Sequence, residues 1–82
     1  ENNMETVPVK MSDIRVPNLS ELNPAKIRAI ENSSESLSSL LHDKDDPIVL
    51  YRGTHPYELC DGRHRVYLAN QRGIKLVPAA FN

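Results

Sequence analysis

Ile48-Val49-Leu50-Tyr51 is apolar at every position and reads as a strand buried on both faces. In a chain of 82 residues that demand governs the fold, because only one modest core is available to cover it. The next segment, Arg52 to Pro56, contains Gly53, Thr54 and Pro56, a turn composition at hairpin spacing. Tyr57-Glu58-Leu59-Cys60 is then the returning strand, with Leu59 on the face opposite Glu58 and Cys60. Tyr51 and Tyr57 flank the turn, where a cross-strand contact is expected. Asp61-Gly62 breaks the strand. Arg63 to Arg72 reads as a helix carrying Val66, Leu68 and Ala69, and Gly73 fits its C-cap.

Residues 1–4, polar apart from Met4, are expected to fray as a flexible N-terminus, leaving 5–82 as a single domain. From Thr6 to Met11, Val7, Val9 and Met11 alternate with Pro8 and Lys10, a strand period in which Pro8 suits an edge. Ser12 to Leu22 holds no period and reads as a loop. Asn23-Pro24 opens a helix, Asn23 as N-cap and Pro24 at the first position, with Ile27 and Ile30 on one face. Glu31-Asn32-Ser33-Ser34 weakens it. A second short helix follows, with Ser34 as its expected cap and Leu37, Leu40 and Leu41 as its buried stripe. His42 to Asp46 is a charged loop closed by Pro47. Leu76 to Phe81 is the last strand, and Pro78 favours an edge for it. The order strand, helix, helix, strand, strand, helix, strand predicts an α/β domain: a small mixed sheet with packed helices.

Composition narrows the function. A hydrophobic share of 39% and a charged share of 26% suit a globular domain. Tryptophan is absent and aromatics are few, so aliphatic side chains must fill the core. A formal net charge of −1 argues against the broad basic face of a nucleic-acid binder. A single cysteine permits no internal disulfide and leaves the redox compartment open. No apolar run approaches the roughly 20 residues that span a bilayer, and no signal-peptide pattern opens the chain. The expectation is a cytoplasmic protein without membrane partners. The opening Glu1-Asn2-Asn3 leaves open that the chain is a fragment of a larger one.

The chemistry concentrates at Asp61-Gly62-Arg63-His64-Arg65. A helix start presents unpaired N–H groups and the positive end of the dipole, so it attracts anions. Gly62 allows close backbone approach to a ligand. Arg63, His64 and Arg65 are cations where a helix disfavours them, each costing roughly 0.3–1 kcal/mol when exposed. An anion would reverse that penalty, and the arginine fork suits phosphate. Asp61 is placed to act as a general base or to hold a phosphate-bound magnesium ion, with Glu58 as the other carboxylate nearby. The plainer alternative has Asp61 capping the helix and pairing with Arg63 or Arg65 on the surface.

The stretch from Tyr57 to Ala79 resembles the ParB/sulfiredoxin superfamily. ParB partition proteins show a strand ending in Gly-Glu-Arg-Arg, an alanine-containing helix, a glycine and then Val-Pro-Ala. Here Gly62, Arg65, Ala69, Gly73, Val77, Pro78 and Ala79 fall at those spacings without a gap, and Pro47-Ile48-Val49-Leu50 resembles the family's Pro-Ile-Val strand. The resemblance covers Asp46 to Phe81 well and the first half loosely. It implies a ParB/sulfiredoxin-like fold in which Gly62, Arg63, His64 and Arg65 hold the phosphates of a nucleoside triphosphate or diphosphate, with Mg2+ as companion ion. Asp61 and His64 would be the catalytic residues of a nucleotide hydrolase or phosphotransferase. The sequence also departs from the family. Arg63 and His64 replace the glutamate and first arginine of the partition motif. Sulfiredoxins end in His-Arg, matched by His64-Arg65, but their reactive cysteine falls at Arg63, so thiol chemistry does not carry over. Free-serine kinases of the superfamily share Asp-Gly-x-His-Arg. The Gln-Pro-Arg box of partition proteins has no counterpart in Val16-Pro17-Asn18-Leu19, nor do these residues have room for those proteins' DNA-binding and dimerisation helices.

The other chemistry-bearing residues have plainer readings. Cys60 reads as a small buried hydrophobe at a strand end. His42 with Asp43, Asp45 and Asp46 reads as a solvated loop beside a helix C-terminus, against a metal site as the sharper alternative. His55 belongs to the surface. Two functions remain: a domain that binds a nucleotide or another phosphorylated small molecule, or a non-catalytic DNA-associated or protein-interaction module of the same fold.

Overall fold

A computed structural model describes residues 5–82; the expectation for residues 1–4 lies outside them. The strands are β1 (Val7–Lys10), β2 (Ile48–Leu50), β3 (Leu59–Asp61) and β4 (Leu76–Phe81), and the helices are α1 (Pro24–Glu31), α2 (Leu37–Leu41) and α3 (Arg63–Gln71). The four strands form one mixed sheet in the order β1-β4-β2-β3. β1 and β4 are antiparallel, β4 and β2 parallel, and β2 and β3 antiparallel. The small α/β architecture with helices on a mixed sheet is therefore present, and β2 with β3 forms the expected hairpin. Parallel β2 and β4 require a crossover, and α3 supplies it.

The core forms around the apolar run Ile48–Leu50. Ile48 and Leu50 are fully buried and Val49 nearly so. Ile48 and Leu50 join Val9, Val77 and Ala79 from the sheet, Leu37 and Leu41 from α2, and Val66, Leu68 and Ala69 from α3 in one cluster. Burial of a side chain such as Ile48 or Val66 stabilises the fold by about 1.5–3 kcal/mol. Leu40 is only half-buried, so the α2 stripe is Leu37 and Leu41. α1 buries no side chain completely; Ile27 and Ile30 pack partly against the cluster.

Two predicted caps are present. Asn23 Oδ1 accepts the Ala25 N–H at 2.9 Å, with Pro24 at the first helical position. At the end of α3, Gly73 has φ +76°; its N–H donates to the Asn70 carbonyl and the Ile74 N–H to the Ala69 carbonyl, both at 3.0 Å. That pair of bonds is the Schellman motif.

Two expectations are corrected. Ser36, not Ser34, caps α2: its Oγ accepts the Ser39 N–H at 3.1 Å. Upstream, Ser33 Oγ takes the Glu35 N–H at 3.1 Å and keeps the chain in a turn until Leu37, from which Leu37 and Leu41 both reach the core. Pro78 lies in an interior strand rather than at an edge. Met11 N–H donates to Lys75 O at 2.8 Å, so alternation makes the facing Pro8 and Pro78 a non-hydrogen-bonded pair. The nitrogen of Pro78 thus points toward β2, whose ladder begins one residue later at Ala79. The missing donor falls where no partner is required. Ser12–Leu22 is a loop, as expected, in which the chain makes 3-10 turns at Met11–Asp13 and Leu19–Glu21 and Ile14 bridges Tyr57 beside β3. Pro8 lies, as expected, in an edge strand.

Candidate functional site

β3 ends at Asp61, and the chain turns through Gly62 with φ +104° and ψ 22° directly into α3. This is the left-handed region that favours glycine. A Cβ at Gly62 would also run into Ile48 Cδ1. The glycine is thus required by the packing of the junction on β2, whatever approaches from outside. Gly62 is the N-cap of α3 and supplies no side-chain acceptor. The first intrahelical bond is from Val66 N–H to Gly62 O at 3.0 Å, so the N–H groups of the preceding turn have no partner within the helix. Asp61 is exposed and does not cap the helix, which removes half of the plainer reading.

The two arginines of this turn have different surroundings. Arg63 is exposed. The Arg65 side chain is 11% exposed, and its Nη1 donates to the carbonyls of Asp46, at 2.6 Å, and Leu40, at 3.3 Å. Its Nη2 lies 3.5 Å from Asp46 Oδ1. Arg65 therefore ties the end of α2 and the loop before β2 to α3, and its carboxylate partner is Asp46 rather than Asp61.

His64 is also engaged. Its Nε2 accepts the backbone N–H of Asn23 at 2.9 Å, so the ring proton sits on Nδ1. Burial, reinforced by the charges of Lys26 and Arg63, holds the imidazole below its ordinary value of 6.5.

Between α1 and the junction lies a pocket of about 450 Å³. Gly62, Arg63, His64 and Arg65 line it together with Asp61 and Cys60, so the predicted site residues come together. Lys26, Ala29 and Ile30 of α1 form the facing wall, with Leu59 adding apolar surface. Sequence reasoning missed Lys26. The signal was available: Lys26 is a cation in the first turn of a capped helix, the same irregularity that singled out Arg63.

Apart from Cys60, which lines the pocket, the other candidates fall outside it or are already paired. Glu58 binds Arg15 Nε at 2.9 Å, and Arg15 Nη2 also reaches Glu21 at 3.1 Å. Arg15, helped by the Asn18 N–H, lowers the Glu21 carboxyl below its usual range, and the two carboxylates raise Arg15 in turn. Glu58 is therefore less available as a base than Asp61. Cys60 is exposed, not buried as expected, because β3 is an edge strand whose register with β2 shifts at Val49/Leu50. Its thiol raises the Tyr51 phenol above its ordinary value. The expected pairing of Tyr51 with Tyr57 gives way to other contacts: Tyr57 packs edge-on against Phe81, with centroids 4.9 Å apart, and against His55 at 5.2 Å. His55 is a surface residue 3.4 Å from Asp13. His42 closes α2, its Nδ1 meeting Ser38 O at 2.8 Å. Among the described residues no group of three His, Cys, Asp or Glu side chains is placed to hold a metal ion, and no helix is long and apolar enough to cross a membrane.

No protein-family model and no curated protein matches this chain.

Proposed function

We propose that the pocket binds the phosphate of a nucleotide or of another phosphorylated small molecule. One observation carries this reading: α3 starts without a side-chain cap, and its first turn opens into a pocket between Arg63 and Lys26. Free N–H donors, the positive end of the dipole and two cations converge on one small volume. The resemblance of Asp46–Phe81 to ParB/sulfiredoxin domains supports the same assignment. Gly62 and Arg63 are the direct phosphate contacts, while His64 and Arg65 shape the wall, the donors of Arg65 holding Leu40 and Asp46. As a hydrolase or phosphotransferase, the protein would use exposed Asp61 as base or as the holder of a phosphate-bound Mg2+.

Calorimetric titration with a panel of nucleotides, with and without magnesium, tests the reading. Saturable binding that requires the phosphate is expected. Arg63→Ala should remove a charge-assisted contact worth about 1.5–3 kcal/mol, roughly tenfold to a hundredfold in affinity. Indifference to every phosphorylated compound would overturn the proposal. Binding of duplex DNA in their place would favour the non-catalytic, DNA-associated module.

A further inference from the structure

We propose that His64 is a positioning residue: as the neutral Nδ1–H tautomer it locks the first turn of α1 against the first turn of α3, and protonation opens that lock and frees Lys26. Every polar backbone group of Asn23 is assigned. Its carbonyl accepts the N–H groups of Lys26 and Ile27 at 3.0 and 3.1 Å, and its side chain accepts that of Ala25. Its own N–H goes to His64 Nε2 at 2.9 Å. Lys26 sits three residues beyond Asn23 in the same turn, so fixing Asn23 fixes the base of the lysine that faces Arg63 across the pocket. α1 has little else to hold it, since none of its side chains is fully buried.

An imidazole nitrogen accepts only while it carries no proton. Protonated His64 would set Nε2–H against the Asn23 N–H, donor against donor. The charged and titratable groups lining the same pocket are Lys26 from α1, Arg63 and Arg65 from α3, and Asp61 and Cys60 from β3, so a protonated His64 joins three cations and one carboxylate. The sign follows. Burial and the cations lower the folded imidazole below 6.5, so the lock contributes in full above that pH and is lost as pH falls through the lower, folded value.

The effect on affinity rests on the phosphate reading above; the lock itself does not. Amide NMR of the whole chain from pH 8 to 5, without ligand, compares wild type with His64→Gln and His64→Ala. Gln keeps an acceptor at the reach of Nε2 and does not titrate. In wild type the Asn23 amide proton should move with the His64 ring, with a midpoint below 6.5. In His64→Gln it should hold its pH 8 position throughout, and in His64→Ala it should lack that position at every pH. Pyrophosphate at pH 8 should bind His64→Ala about twofold to tenfold more weakly, the loss expected when one side chain is no longer held in place, with most of the affinity recovered in His64→Gln. An Asn23 amide that ignores the His64 titration would overturn the lock even if pyrophosphate binds. A responsive Asn23 in a protein that does not bind pyrophosphate would keep the lock and overturn the phosphate site.

Discussion

The two longer helices begin in opposite ways. α1 starts on Asn23-Pro24, where a side-chain oxygen takes one N–H and proline eliminates another. α3 starts on a left-handed glycine with no side-chain acceptor. The difference tracks what each helix buries. α1 covers the core with half-buried Ile27 and Ile30 only, so a cap worth about 0.5–2 kcal/mol is a large share of its stability. α3 buries Val66, Leu68 and Ala69, and the first two alone contribute about 1.5–3 kcal/mol each. It holds without a cap, which leaves its first N–H groups available to a ligand. A helix start can stay open where the rest of the helix is firmly anchored.

The comparison can be broken most decisively at Gly62. Gly62→Ala forces a side chain into the left-handed region at about 1–2 kcal/mol and crowds Ile48 at about 1–3 kcal/mol more. The urea midpoint should fall accordingly, by more than for Gly73→Ala, where nothing lies within 4 Å of an added Cβ and only the backbone term applies. Equal losses would mean that Ile48 yields freely and that Gly62 is not dictated by packing.

Arg65→Ala comes next. It strips the donor from the Leu40 and Asp46 carbonyls and should lower stability by about 1–3 kcal/mol; Arg65→Lys recovers part of this. Arg63→Ala, by contrast, should stay within about 0.5 kcal/mol of wild type in stability while losing phosphate affinity. Thermal and urea unfolding alongside titration separates them, and a stability loss shared equally by both arginines would erase the distinction. A modest loss sharpens the α1 side: Asn23→Ala should cost about 0.5–2 kcal/mol through the lost cap. An unfolding curve identical to that of wild type would show the cap to be idle.

Features set by a few neighbouring residues were legible in the sequence. Asn23-Pro24, Gly73 and the Ile48–Leu50 run each contain their own physical cause. Features decided across the fold were not. Ser34 and Ser36 are equally good caps in isolation, and only the reach of Leu37 and Leu41 to the core selects between them. Pro78 looked like an edge residue because its missing donor could not be judged without the stagger of β2 on β4. Arg65 and Arg63 differ by two positions in sequence, yet only the former points at the Asp46 loop, so a pattern of charges at a helix start could not tell a structural arginine from one facing solvent. Lys26 stood out as a cation in the first turn of α1, but its place in the pocket comes from the packing of α1 on α3, which sequence spacing does not encode.

The facing prolines of β1 and β4 also shape the perimeter of the molecule. Because Pro8 belongs to a non-hydrogen-bonded pair with Pro78, its nitrogen points away from the sheet, as does the N–H of Lys10. Between Val7 and Lys10 the outer rim therefore offers one N–H donor, beside a lysine side chain. A foreign strand arriving there meets a broken ladder and a charge, the two devices that most effectively discourage edge-to-edge growth. The proline pair that fits two strands together inside the sheet thus also keeps the sheet from recruiting another.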